Sequence, residues 1–213
     1  SVMGASKRVC EELLHSLADE TYLYTRYASV RFGNVLGSRG SVVPLFTRQI
    51  EHGGPITVTH PDMTRYFLTI PEAVNLVIHA ACLTDGGDTF LLKMGERVRI
   101  LDLAERMIRL RGLRPGIDIP IKITGIRPGE KMHEELFDSE EHVTETVHPY
   151  IVKVTSDCHE WDAQSLLDEL QRLLHHSPKT AADALDVLLQ ILAHKRDVSY
   201  RNGHVLQPAD KPE

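Results

Sequence analysis

Four polar side chains lie in short loops where a turn alone would not require them: Asn34, Arg65, Arg127 and Glu130. A guanidinium binds a phosphate or diphosphate through two parallel hydrogen bonds, and a carboxylate accepts hydrogen bonds from sugar hydroxyls. These residue types therefore suit a ligand that carries both phosphates and hydroxyl groups. Each loop taken alone also has an ordinary structural explanation.

The loop with Asn34 follows a short strand and leads into a helix, in the stretch RFGNVLGSRGS at residues 31–41. Its glycines and serines come just before the helix N-terminus, where backbone amides can bind an anion or a sugar hydroxyl. The alternative is an ordinary loop in which Ser38 or Ser41 caps the helix. The residues alone leave both interpretations open.

The two arginines have similar alternatives. Arg65, in HPDMTRYF, either grips a diphosphate or forms a surface ion pair with Asp62. Arg127, in GIRPGEK, ends a predicted strand, and Glu130 is expected to begin a helix. Either Arg127 meets a phosphate while Glu130 binds ribose hydroxyls, or Glu130 complements the helix dipole and Arg127 is simply solvated.

The elements that would position these side chains alternate along roughly the first 150 residues, which predicts an α/β fold. Apolar residues at helical spacing predict helices at residues 2–19, 42–54, 69–83 and 99–113. Strand-like segments are predicted at residues 27–32, 56–59, 88–94 and 119–125. Thr69 is expected to cap the third of these helices, with Pro71 in its first turn.

The first predicted helix places Met3, Lys7, Cys10, Leu14 and Leu17 along one face at 4-3-4-3 spacing. A lysine within such a stripe either has a function or lays its aliphatic stem along an apolar surface. Two further amphipathic helices, separated by Ser177-Pro178, follow near the C-terminus. We therefore predict a domain at residues 1–155, a helical appendage at 156–197 and a polar, disordered tail at 198–213.

Composition excludes several classes of function. A formal net charge of −6 argues against nucleic acid or an anionic membrane surface as the main partner. No apolar run approaches the roughly 18 residues of a membrane span, and no signal peptide is recognised. Three cysteines without a CxxC pattern indicate a reduced, cytoplasmic setting. The twelve histidines are scattered without a paired ligand spacing, so no metal site is expected.

Taken together with the residues that flank them, the loops point to one protein family. Four segments carry a resemblance to a known family: SVMGASKR, YASVRFGNVLGSRGSVVPLFTRQIEHGGPITVTHPDMTRYFLTIPEAVNLV, ILDLAERMIRLRGL and ITGIRPGEKMHEELF. They resemble CapD-like polysaccharide biosynthesis proteins, the UDP-N-acetylglucosamine 4,6-dehydratase family of extended short-chain dehydrogenases/reductases. The resemblance runs from residue 1 to about residue 140. It implies a Rossmann-like half that binds NAD or NADP and a C-terminal half that binds a UDP-sugar. It also implies a reaction in which C4 is oxidised, water is lost across C5 and C6, and hydride returns to C6.

The resemblance assigns roles to individual residues. Lys7 matches the lysine of the YxxxK motif, a catalytic residue that also binds the nicotinamide ribose, and Met3 stands at the usual tyrosine position. Asn34 is implied to contact the substrate phosphates, Arg65 and Arg127 the diphosphate, and Glu130 the uridine ribose. These residues, together with the segment from Pro44 to Gln49 beside the uracil, form the expected substrate-binding set.

The sequence departs from the family pattern in one respect. No glycine-rich turn follows a strand, and no P-loop is found, although a nucleotide cofactor usually requires one or the other. The chain is therefore expected to be the C-terminal part of the enzyme, with a sheet edge made to pair with missing strands and with an N-terminal half or a second copy as partner. The alternatives are a nucleotide-sugar 4-epimerase and a catalytically dead UDP-binding or interaction fragment.

Overall fold

The computed structural model describes residues 2–18, 25–127, 129–137, 139, 141–156, 163–176 and 180–197. Its helices are α1 Val2–Ala18, α2 Val42–Glu51, α3 Ile70–Leu83, α4 Ile100–Arg109, α5 Ala163–His176 and α6 Ala181–Asp197. Its strands are β1 Ala28–Arg31, β2 Asn34–Val35, β3 Ile56–Val58, β4 Thr64–Arg65, β5 Phe67–Leu68, β6 Asp88–Leu92, β7 Val98–Arg99, β8 Ile121–Ile123, β9 Glu141–Glu145 and β10 Ile151–Ser156. The helices predicted at the start of the chain, after Ser41, Thr69 and Arg99, and near the C-terminus are confirmed. The tail at 198–213 lies outside the described residues.

The chain divides into two compact units, one formed by residues 1–23 with 158–213 and the other by residues 24–157. In the first unit, α1 packs against α5 and α6 around the buried side chains of Val9, Leu166 and Ile191. The sequence did not predict that α1 would group with the two C-terminal helices. It does so because Val9 and its neighbours present an apolar surface that these amphipathic helices cover.

The buried face of α1 is not the predicted stripe. Ala5, Val9, Glu12 and Ser16 are buried, whereas Met3, Lys7 and Cys10 are exposed. The alternative in which the stem of Lys7 lies along an apolar core face is therefore wrong, because Lys7 is exposed. The buried Glu12 is compensated by Arg8, whose Nε lies 3.4 Å from the Glu12 carboxylate.

A four-stranded sheet organises the second unit, in the order β1-β6-β10-β9. β1 and β6 are parallel, and β10 runs antiparallel to both of its neighbours. All five residues of β6 are buried. On one face of the sheet, Ala73 and Ala80 of α3 pack with Phe90 and Leu92, whereas Leu91 packs in a separate cluster with Val152 and Val154. Within the described residues, β1 pairs only with β6, so its other edge is open.

The helix that covers this sheet begins with the predicted cap. The Thr69 hydroxyl accepts a hydrogen bond from the backbone N–H of Glu72, and the Glu72 carboxylate accepts one from the backbone N–H of Thr69. This reciprocal capping box satisfies two amides that the helix itself leaves unpaired, and Pro71 occupies the first turn.

A second apolar core joins α2 and α4 to the small ladder of β3 and β8. Its most deeply buried side chains include Phe46, Ile56 and Ile108. Beside this core, β2 pairs in parallel with β5, and β4 pairs antiparallel with β7. Of the predicted substrate-binding residues, these short ladders carry Asn34 and Arg65. Among the described residues, no helix is long and apolar enough to cross a membrane.

Candidate functional site

A close backbone approach places Asn34 next to the strand segment that contains Arg65. The backbone N–H of Asn34 donates to the carbonyl of Tyr66 at 2.9 Å. A Cβ on Gly33 would lie 2.9 Å from the Cβ of Tyr66, so only glycine allows the two segments to come this close. The carboxamide of Asn34 is half-buried and makes no hydrogen bond within the described part of the chain.

Arg65 is surrounded by groups that accept its hydrogen bonds. Its Nη1 donates to the carbonyls of Thr64 at 2.8 Å and Met132 at 3.0 Å, and its Nη2 donates to the carbonyl of Lys131 at 2.9 Å. Two carboxylates lie close by. The distance is 3.6 Å from Nη2 to Glu130 Oε1 and 3.7 Å from Nε to Glu134 Oε1. The predicted alternative pairing with Asp62 is therefore wrong, since these acceptors surround the side chain.

The segment after Arg127 is a turn rather than a helix. The backbone N–H of Glu130 donates to the carbonyl of Arg127 at 3.0 Å, and Glu130 Oε2 accepts from the backbone N–H of Arg127 at 3.3 Å. The prediction that Glu130 begins a helix was wrong, as was its alternative role at a helix dipole. The carbonyls of Lys131 and Met132, which a helix would use internally, accept hydrogen bonds from Arg65 and from the backbone of Thr64 instead.

The guanidinium of Arg127 differs from that of Arg65. It is exposed, and within the described ranges no hydrogen bond or ion pair engages it. The site thus holds one arginine already neutralised by two carboxylates and one arginine whose charge is available to an anion. Glu130 lies between them, since it contacts Arg65 through its side chain and Arg127 through the turn.

The loop before α2 has only part of the predicted capping. Ser41 occupies the N-cap position but makes no side-chain capping bond, and its buried Oγ has no partner among the described residues. Ser38 donates its hydroxyl proton to the carbonyl of Val35 at 2.8 Å. A buried hydroxyl without a partner is uncommon in proteins, because it loses the hydrogen bond it would make to water.

In α2, the helix predicted to flank the uracil, the side chain of Gln49 is already hydrogen-bonded within the protein. Gln49 donates from Nε2 to the hydroxyl of Thr57 at 2.8 Å, and its Oε1 accepts from the backbone N–H of Thr57 at 3.1 Å. These bonds tie α2 to β3, so Gln49 would have to release Thr57 before it could bind a ligand. Pro44 is the third residue of α2 and is half-buried.

Met3 and Lys7 belong to the first unit and are described apart from the cluster above. Both are exposed on α1, and neither side chain has a polar partner within the described residues. Of the residues assigned by resemblance, Lys7 is the one tied to NAD or NADP. Gly33, two residues after the end of β1, packs against Tyr66.

Two residues of the cluster were missed from the sequence. Glu134 contacts Arg65, and Arg97 holds the neighbouring Tyr66 by donating from Nε to its hydroxyl at 2.8 Å. A helix was expected to begin at Glu130, whereas the carboxylates of Glu130 and Glu134 both reach the guanidinium of Arg65. Within the described residues, no group of three or more histidine, cysteine or acidic side chains could hold a metal ion.

A separate cleft of about 490 Å³ lies between α3, the end of β6 and the turn that joins β9 to β10. It is lined by His79, Lys93, His148 and Tyr150, among others, and the rings of His79 and His148 lie 4.7 Å apart. No residue predicted from the sequence lines this cleft, so it is distinct from the cluster around Arg65.

Comparison with known proteins supports the predicted relationship. A family model described as "Polysaccharide biosynthesis protein" matches residues 1–156. The capsular polysaccharide biosynthesis protein CapD of Staphylococcus aureus is 56% identical over 149 residues, which is 70% of this chain and 24% of CapD. A UDP-glucose 4-epimerase of Rickettsia canadensis is 37% identical over 147 residues, covering 66% of this chain and 40% of the epimerase. The chain thus spans well under half the length of these relatives.

Solved structures agree on the fold. The structure of Pen from Bacillus thuringiensis is 40% identical, with a TM-score of 0.64 over 72% of this chain and 47% of that chain. A UDP-N-acetylglucosamine 4-epimerase from Methanobrevibacter ruminantium matches at 23% identity with a TM-score of 0.52, over 63% of this chain and 44% of that chain, which compares the fold alone. The predicted α/β class, as part of a Rossmann-like short-chain dehydrogenase fold, is confirmed. The family model covers most of the chain, and the chain belongs to the polysaccharide biosynthesis protein family.

Proposed function

We propose that residues 24–157 bind the nucleotide portion of a UDP-sugar, as the substrate-binding part of a nucleotide-sugar 4,6-dehydratase. Asn34, Arg65, Arg127 and Glu130 come from three segments that are distant in sequence yet joined by direct hydrogen bonds and ion pairs. This convergence supports one binding site rather than four unrelated loops. Membership of the polysaccharide biosynthesis family supports a sugar nucleotide as its ligand.

The observation that carries the proposal is the contrast between Arg127 and its neighbours. An exposed guanidinium without a partner in the described residues is available for a diphosphate, to which it can donate two parallel hydrogen bonds. Glu130, three residues further on, supplies carboxylate oxygens that accept from ribose hydroxyls. Asn34 adds a carboxamide at the start of β2, and Pro44 presents an apolar surface suited to the base.

The proposed reaction converts UDP-N-acetylglucosamine to a UDP-4-keto-6-deoxy sugar, with NAD or NADP as the cofactor. The cofactor would accept and return a hydride, and Lys7 would bind its nicotinamide ribose. In this proposal the chain binds and orients the sugar nucleotide, Lys7 contributes to the catalytic site, and the enzyme acts in the cytoplasm. A 4-epimerase is the second candidate, because the chain is 37% identical to a UDP-glucose 4-epimerase.

Titration calorimetry with UDP and with uridine tests the binding proposal. We expect Arg127→Gln to weaken UDP binding about ten- to a hundredfold, since a hydrogen bond to a charged group contributes about 1.5–3 kcal/mol. Uridine binding should change little, because uridine has no diphosphate. Arg109→Gln is the matched control, since Arg109 is an exposed arginine of the same unit that pairs with Glu105 on α4. Absence of UDP binding at millimolar concentration would overturn the proposal.

The reaction class requires a protein in which the cofactor-binding half is present. Incubation with UDP-N-acetylglucosamine and mass spectrometry of the product distinguish the candidates, because dehydration lowers the mass by one water and epimerisation leaves it unchanged. A product of unchanged mass with an inverted C4 would support the epimerase and reject the dehydratase.

A further inference from the structure

The cleft between α3, the end of β6 and the β9–β10 turn is a second concave surface of residues 24–157. Its volume of about 490 Å³ lies within the roughly 300–1,000 Å³ of small-molecule sites. Leu68 and Leu76 contribute apolar side chains to its lining, and the other lining side chains are mostly polar. None of the residues assigned to UDP lines it, so a molecule bound here would be separate from the nucleotide.

The β9–β10 turn holds the ring of His148 in place. The backbone N–H of His148 donates to the hydroxyl of Thr146 at 3.1 Å, and this hydroxyl donates to the carbonyl of Ile151 at 2.7 Å. The backbone N–H of Tyr150 donates to Nδ1 of His148 at 3.3 Å. A neutral imidazole has one donor and one acceptor nitrogen, so this bond places the proton of the neutral ring on Nε2. His148 therefore brings a fixed hydrogen-bond donor to the cleft.

Other polar side chains of the lining keep unused hydrogen-bonding capacity. The ring nitrogens of His79 and the carboxamide of Asn75 have no hydrogen-bond partner in the part of the chain that the structure describes. The Glu72 carboxylate accepts from Thr69 through Oε2, which leaves Oε1 as an acceptor. Tyr150, which is 60% exposed, adds an aromatic ring. The cleft thus combines donors, an acceptor and an aromatic surface.

The charges around the cleft do not favour an anion. Nζ of Lys93 lies 2.6 and 2.8 Å from the two carboxylate oxygens of Glu145, which offset its charge. Hydrogen bonds from Thr69 lower the pKa of Glu72, so this carboxylate stays charged at neutral pH. A transition metal fits poorly too. Histidine ligands normally donate from their second nitrogen, whereas Nδ1 of His148 accepts, and the described residues offer no group of three metal ligands.

We propose that this cleft is a second ligand site, which binds a neutral, hydroxyl-rich molecule of roughly one or two sugar units, with Tyr150 against a sugar ring. Sugar hydroxyls both donate and accept, so they can pair with His148 and Asn75 as donors and with Glu72 as an acceptor. The apolar C–H face of a sugar suits an exposed aromatic ring. Membership of the polysaccharide biosynthesis family supports a glycan as the ligand. The proposal goes beyond the UDP-binding function and does not depend on it.

Titration of the full chain with two neutral disaccharides, N,N′-diacetylchitobiose and cellobiose, tests the proposal. Side-chain NMR of isotope-labelled histidine should show saturable shifts of the His79 and His148 rings at millimolar concentrations of at least one disaccharide. Before ligand is added, the neutral ring of His148 should carry its proton on Nε2. Sodium phosphate and zinc chloride are the anion and metal probes. Absence of saturable shifts with both disaccharides would overturn the proposal, whatever phosphate and zinc do, and so would a proton on Nδ1 of His148.

Variants of the turn assign the binding to the cleft. Tyr150→Leu should weaken the disaccharide about three- to tenfold through loss of the aromatic face, whereas Tyr150→Phe should bind within about twofold of the original chain. His148→Phe keeps a ring but removes the Nε2 donor, and it should also weaken binding about three- to tenfold. The matched control is Val147→Ala, which should bind normally, because Val147 is 93% exposed in the same turn and does not line the cleft. Unchanged affinity in both Tyr150→Leu and His148→Phe would contradict the assignment.

Competition with UDP separates this site from the proposed function. We expect His148→Phe to bind UDP as the original chain does, and saturating UDP to leave the disaccharide in place. Displacement of the disaccharide by UDP would overturn the second site, because the cleft would then belong to the nucleotide site. If the chain binds the disaccharide but not UDP, the UDP-binding function is rejected and the second site stands.

Discussion

Arg31 and Glu141 form a buried ion pair between two strands that are not neighbours in the sheet. Nη1 and Nη2 of Arg31 donate to the two carboxylate oxygens of Glu141 at 2.8 and 2.9 Å, and Nη1 also contacts the carbonyl of Leu136 at 3.3 Å. The Glu141 side chain is 3% exposed and that of Arg31 is 18% exposed. The pair connects β1 to β9 and so fixes the strand that leads to Asn34.

We expect Glu141→Gln to lower the stability of this unit by about 2–3 kcal/mol. Removing one partner of a buried pair costs about 3–5 kcal/mol, because the remaining charge is left uncompensated. Glutamine retains one oxygen acceptor, which recovers about 1 kcal/mol, and the partial exposure of Arg31 favours the lower end of the range. The control is Glu145→Gln on the same strand, whose pair with Lys93 is exposed and should contribute under about 1 kcal/mol.

Amide exchange in β6 measures this difference, because the chain has two units and local opening must be assigned to one of them. A loss of 2–3 kcal/mol corresponds to exchange about 30- to 140-fold faster. A double variant, Arg31→Leu with Glu141→Leu, should recover much of the loss, since no charge remains buried. Equal effects of Glu141→Gln and Glu145→Gln would refute the assignment of stability to burial.

Two further predictions concern the elements that support the sheet. Thr69→Ala should lower the unfolding free energy by about 1 kcal/mol through loss of the capping box, whereas Thr69→Ser should not, and equal denaturant midpoints for the two variants would contradict this. Burial alone would raise the pKa of Asp88, but hydrogen bonds from Lys153, Thr84 and the backbone of Asp85 outweigh it, so the pKa is lowered. Asp88 therefore stabilises the fold above its unfolded pKa of about 3.9, and this contribution is lost as the pH falls through the lower folded value. Urea midpoints between pH 6 and pH 3 should fall less in Asp88→Asn than in the original chain, and an identical decline would reject the role of Asp88.

The elements that could be predicted from the sequence are those determined by local signals. Thr69 with Glu72 three residues later, and Pro71 in the first turn, specify the start of α3 without any tertiary information. Glycines and apolar periodicity likewise located α2 and α4. The grouping of α1 with α5 and α6 is different in kind, because it depends on which apolar faces meet and no local pattern records that.

In the candidate site too, some features follow from the sequence and others depend on tertiary contacts. The resemblance of long motifs pointed to Asn34, Arg65, Arg127 and Glu130, among others, and the structure brings these four residues to one cluster. The expectation that Glu130 begins a helix was wrong, and Glu130 and Glu134 instead make two contacts with one guanidinium. Periodicity can report a repeat of side chains, but it cannot report that Arg65 competes for the backbone carbonyls that the helix would need.

That competition also explains why the two arginines have different surroundings. Arg65 lies within a short strand, so its side chain is held beside the backbone of residues 131 and 132 and donates hydrogen bonds to their carbonyls. Arg127 precedes a Pro-Gly turn whose closing bond is made by the Glu130 carboxylate, which leaves the guanidinium outside. Residue type alone would assign both arginines to a diphosphate. The backbone around each one places Arg65 among acceptors of its own chain and leaves Arg127 exposed.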